Sequence, residues 1–133
     1  MEIKTYIISI VIVWLTVVVT EYIGHHLIFS RVWKKFGKYP PVEEIGSDKM
    51  SWNLLAALIF SVVFVQLYTL NFIGTGPTVG LQFGLLIGCI ISIPRLLHQR
   101  AHSPLRWELE IISPFITIAE SGFSGILVAW MFQ

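Results

Sequence analysis

Three residues combine ionisable chemistry with surroundings that should exclude water: Glu21 and His25 in VVVTEYIGHHLIF, and Glu120 in FITIAESGFSG. A glutamate and a histidine four apart share one face of a helix, while the next histidine, His26, points well away from it. A charged carboxylate near mid-bilayer costs ~2–3 kcal/mol or more on insertion scales, so it should turn toward a bundle interior or a wet cavity. There it can be protonated, pair with a histidinium or bind a metal. The plain structural alternative is a Glu21–His25 hydrogen bond plus a neutral Glu120 bonded to a hydroxyl or carbonyl, holding helices in register.

Three functional uses of these residues compete with that alternative. A proton- or ion-coupled path through Glu21, His25 and Glu120 would need water access, and with four helices it implies an oligomer. A metal site could draw on the same residues, but di-iron bundles use Glu-x-x-His, and here the spacing is Glu-x-x-x-His. A haem or chlorin could take His25 or His26 as an axial ligand. Its natural second ligand, His98, would sit ~7 Å too shallow at 1.5 Å per residue. No cofactor is favoured. No serine–histidine–acid order and no zinc-protease helix is present, so an enzyme is the least supported class.

The elements that must position these residues are set by composition. The 133 residues are 55% hydrophobic and 13% charged, with a mean hydropathy of +0.75. Soluble domains carry roughly a quarter charged residues. A spanning helix needs ~20 mostly apolar residues, and runs over 5–30, 52–72, 78–98 and 109–132 qualify. They predict a single all-α domain over 1–133, a four-transmembrane-helix bundle made of two hairpins. The first run outlasts a signal-peptide core and lacks an Ala-x-Ala-like exit, which predicts a retained helix. Counted from the helix ends, Glu21 lies ~14 Å and Glu120 ~16 Å deep. Two acids on different helices are therefore expected at nearly one depth.

Basic residues set the orientation. Arg31, Lys34, Lys35, Lys38 and Lys49 cluster after helix 1, and Arg95, Arg100 and Arg106 cluster around the end of helix 3. Only Lys4 lies on the other side, and the turn NFIGTGPT carries no charge. Retention of basic residues in the cytoplasm predicts both termini on the non-cytoplasmic side. The connection RVWKKFGKYPPVEEIGSDKM reads as a short interfacial amphipathic turn ended by Pro40-Pro41, with lipid-headgroup or protein docking as its rival. Trp52 and Trp107 suit interfacial anchoring. Cys89 is alone, which removes intrachain disulfides and cysteine-rich metal sites. A net charge of +1 gives no signal for nucleic acid, and none is expected as a partner.

Packing signals are concentrated in the second half. Gly76, Gly80, Gly84, Gly88 and Ser92 recur every four residues along one stripe of helix 3, a glycine-zipper pattern that lets another backbone approach. Its partner is open between a helix of this chain, a second copy and another subunit. Helix 4 repeats Ser113, Thr117, Ser121 and Gly125, and is a candidate to lie against that stripe. Gln66, alone in apolar helix 2, is expected to hydrogen-bond a neighbouring helix. At the polar edge, Arg95, His98, Arg100, His102, Arg106, Glu108 and Glu110 read as a solvated interfacial network, with a phosphate-binding pocket as the sharper alternative. Pro94 should bend helix 3.

The exit EYIGHHLIFSRVWKKFG, the glycine-rich third helix and the ending SGFSGILVAWMF together resemble a family of small bacterial four-helix membrane proteins catalogued as a domain of unknown function. His25-His26 stands where that pattern would carry an aromatic pair. The resemblance spans most of the chain and implies a fold and a membrane location, with no reaction. The reading that follows is a scaffold or accessory subunit of a bacterial inner membrane, embedded in the lipid bilayer as a homo-oligomer or part of a larger complex. The alternative is a carrier, or a metal- or cofactor-binding protein, centred on Glu21, His25 and Glu120.

Overall fold

A computed structural model describes residues 3–29, 31, 34–35, 47–70, 76–102 and 110–133, with 25, 29 and 47–49 described by backbone alone. The elements are α1 (Ile3–Ile23), a π-helical segment (Gly24–Phe29) that continues it, α2 (Ser47–Leu70), α3 (Pro77–His102) and α4 (Ile112–Met131). Each coincides with an apolar run. The valines and isoleucines crowding α1 are poor helix formers in water. In hydrocarbon the backbone has no water to bond, so it must satisfy its own donors and acceptors, and the helix forms regardless. Among the described residues, four helices are long and apolar enough to cross a bilayer.

Helix ends depart from the sequence expectation by up to five residues. α2 begins at Ser47 instead of 52 because the polar Ser-Asp-Lys turn joins the helix. α3 runs on to His102, through Pro94, as one helix. Proline removes one donor and crowds the preceding turn, yet the polar tail of α3 continues past it. Gly76 leaves the expected glycine stripe. It precedes α3 with φ +116°, a conformation that favours glycine, and its carbonyl accepts from the Gly80 amide at 3.1 Å. It therefore starts the helix instead of packing it.

Three pairings build the bundle: α1 on α2, α1 on α4, and α3 on α4, the most extensive of them. The core lies where α1, α2 and α4 meet, with Val13, Val17, Ala57, Phe64, Val65, Tyr68, Val128 and Ala129 buried. Phe83 of α3 closes it, edge-on to Phe64 and to Tyr68 with ring centroids 5.2 Å away in each case. Such edge-to-face pairs align the positive ring edge with the negative face. The Trp14 indole N–H donates to the Leu54 carbonyl at 3.1 Å and pins α1 to α2. Hydroxyls inside the spans mostly bond their own helix: Ser9, Thr16, Thr20, Ser61 and Thr117 each donate to the carbonyl four residues back. Large apolar side chains such as Leu15, Val19, Ile59, Leu86, Ile90 and Phe115 point outward. That is the surface a bilayer solvates.

Candidate functional site

α1 and α4 run antiparallel. Ser9 reaches the Met131 sulfur at 3.6 Å near one end. Gly24 lies against Ile116 at the other, so close that a Cβ there would sit 2.8 Å from Ile116 Cδ1. Equal lengths of both helices separate these contacts, which fixes the register between them. Ser9, Val13 and Val17 step along α1 every four residues, and Ser124 and Val128 step along α4 in the same way, all buried. The next position in each series is an acid: Glu21 on α1 and Glu120 on α4. The shared depth expected from the sequence is a shared level of one seam.

Glu120 is buried, only 5% exposed, while Glu21 is half-buried beside it. The α1–α4 register sets Glu21 and Glu120 across from each other. Like charges at close range inside low-dielectric surroundings repel strongly. The arrangement is one in which a shared proton or a bound cation would remove a mutual penalty.

The helix changes form beside this pair. From Gly24 the backbone passes into a π-helical segment carrying both histidines. Such segments widen the turn and often mark functional sites. His26 is exposed and stacks on Tyr22, with ring centroids 4.6 Å apart. It therefore faces away from Glu120, and the π segment carries it to the Tyr22 face. The side chain of His25 lies outside the described residues, so the proposed Glu21–His25 bond has no counterpart there.

The remaining candidates are dispersed. Gln66 makes the bond to a neighbouring helix expected of it, but on an exposed face of α2 instead of inside the bundle: the Tyr6 hydroxyl of α1 donates to its Oε1 at 2.7 Å. His98 and Arg95 are exposed on the last turns of α3, and His98 packs against His102 with centroids 4.8 Å apart. Arg106 lies outside the described residues. Among the described residues, no three histidine, cysteine, aspartate or glutamate side chains come together as a metal site would require.

The stripe of α3 goes against α4 of the same chain. A Cβ on Gly80 would collide with the Gly125 carbonyl, one on Gly84 with the Ser121 carbonyl, and one on Gly88 would come within 2.8 Å of the Ile118 Cα. Ser92, Ser121 and Gly125 are buried in the same seam. Sequence reading missed two features. Gly24 is a helix-contact glycine, legible only as a glycine one turn below Glu21. Glu110 was read as part of a solvated network, but it is 6% exposed and faces Arg100 at 3.4 Å. Its place at the start of the fourth run is as expected, and what differs is its burial.

Four apolar spans that bury polar groups along their seams define the class: a multi-pass membrane protein. Compared with protein-family models, curated proteins and solved structures, the chain matches none.

Proposed function

We propose that the chain is a small membrane carrier that takes up a proton or small cation at the Glu21–Glu120 pair. The observation supporting it is the coincidence of two acids at one level of the α1–α4 seam, one of them buried. A helix that served only for packing would carry Val or Ser there, as it does one turn away at Val17 and Ser124. Acids inside spans are expensive and mark ion pathways. His25, on the Glu21 face by spacing, is the natural relay to the polar end.

The same reading places both termini on the non-cytoplasmic side of a bacterial inner membrane as two hairpins, supported by the asymmetry of lysine and arginine. It retains the resemblance to the four-helix membrane family and an oligomeric state, since four helices offer little room for a path. A second reading, a scaffold or accessory subunit, is supported by the close α3–α4 seam, which makes a stiff pair able to hold a partner helix. With the glycine face spent on α4, association would use the outward apolar faces.

Purified protein in liposomes loaded with a pH-sensitive dye tests the carrier. Under an imposed potassium diffusion potential, the wild type should move protons well above protein-free liposomes, and Glu120→Gln and Glu21→Gln should each lower the flux at least tenfold. Wild-type flux equal to that of empty liposomes, or variants as fast as wild type, would overturn it and leave the scaffold reading.

A further inference from the structure

A second polar recess lies away from the acid pair, where the polar tail of α3 meets the start of α4. Ser92, Arg95 and Gln99 share one face of α3, spaced at helical intervals. With Ile91 they line the recess opposite Ser113, Pro114 and Thr117 in the first turns of α4. The enclosed space is about 10 Å³, room for one water-sized group.

Three features give this recess the chemistry of an oxyanion site. The first is Ser92. It is 2% exposed, and its hydroxyl has no hydrogen-bond partner among the described residues. A buried hydroxyl left unsatisfied costs about 1–3 kcal/mol, which a ligand oxygen would recover. The second is the end of α4. Its N-cap residue, Ile111, gives no side-chain oxygen to the first-turn amides. Pro114 has no N–H and the Phe115 amide bonds the Ile111 carbonyl at 3.2 Å, so what α4 offers an anion there is the positive end of its dipole. The third is charge. Arg95 is exposed at the mouth, and the nearby buried acid, Glu110, is engaged by Arg100 at 3.4 Å. The other Glu110 oxygen has no hydrogen-bond partner among the described residues, and Arg95 is the cation that lines the recess.

We propose that this recess binds a phosphate group, one oxygen seated on Ser92 and the others met at the mouth by Arg95, Gln99 and the start of α4. A tetrahedral oxyanion suits the donor set, because a guanidinium, a carboxamide and hydroxyls converge from two helices. The volume admits one oxygen and leaves the remaining atoms outside, as for a group reached from the surface. The level suits it too: α3 turns from apolar to Arg-, His- and Gln-rich at Arg95, which is where headgroups lie. Either a phospholipid headgroup or free phosphate carries the required chemistry.

Two measurements on the full chain in detergent separate these sources. Inorganic phosphate is titrated calorimetrically, and retention of phosphatidylglycerol is read by native mass spectrometry. Phosphate binding without lipid retention identifies free phosphate, and lipid retention without phosphate binding identifies the headgroup. In whichever arm binds, Arg95→Gln should weaken affinity at least tenfold and Ser92→Ala about threefold, with Lys4→Gln, exposed at the far end of α1, near wild type. Both substitutions change no packed apolar atom, and an unchanged thermal transition confirms the fold. Absence of binding in both arms, or equal binding by wild type and Arg95→Gln, overturns the proposal.

Discussion

α4 makes two antiparallel seams, and they are built from opposite materials. Toward α3 it presents Ser121, Gly122 and Gly125 to Gly80, Gly84 and Gly88, so that backbone meets backbone. Toward α1 it presents Ile116, Glu120, Ser124 and Val128, so that side chains keep the axes apart. In lipid no hydrophobic force drives helices together, and close van der Waals contact is the main source of their association. The first seam is optimised for that contact. The second gives some of it up to hold two acids. One helix thus presents small residues on one face and acid-bearing, bulkier residues on the other.

Substitutions can break this contrast. The largest effect is expected at Gly84→Ile. Its Cβ would strike the Ser121 carbonyl, and neither backbone can move without parting the helices, so the loss should reach ~3 kcal/mol or more. Thermal or denaturant unfolding in detergent measures it. Gly24→Ala should cost only about 1 kcal/mol, because the atom it meets is the flexible end of Ile116. If Gly24→Ala proved as damaging as Gly84→Ala in the same assay, the two seams would not differ as described.

Smaller effects sharpen the picture. Glu120→Gln keeps the volume and removes one of two facing like charges, so the fold should be unchanged or firmer by about 0.5 kcal/mol. A loss above about 2 kcal/mol in the same unfolding assay would mean that Glu120 is structural glue. Trp14→Phe removes the bond to Leu54, and interhelical hydrogen bonds in membranes average about 0.6 kcal/mol. That loss should appear at the α1–α2 contact as faster hydrogen exchange around Leu54, with the α3–α4 seam unaffected.

Much of the fold was legible because its cause is local. A run of ~20 apolar residues has few options in a bilayer other than a helix. The glycine spacing of α3 and the serine–glycine spacing of α4 pointed to each other for the same reason, since small residues at helical intervals make a groove wherever they occur. The site was legible in part. Glu21 and Glu120 stood out as acids in apolar runs, and a count of residues put them at one depth. Gln66 stood out equally and makes its expected bond to another helix, but on an exposed face, because composition does not say which side of a helix is turned inward. Glu110 looked like a surface acid and is buried, because a charge count does not see the arginine that faces it.

The sequence by itself determined the number of spans, their approximate limits and the two stripes of small residues, all of which follow from hydrophobicity and the helical repeat. Only the tertiary structure decided which helix met the α3 glycines, that α1 slides along α4 in a register that levels the two acids, and that Ser92 and Arg95 open into one recess. Those outcomes depend on how each helix is rotated about its axis. Rotation is set by the sum of weak contacts with neighbours far away in the chain.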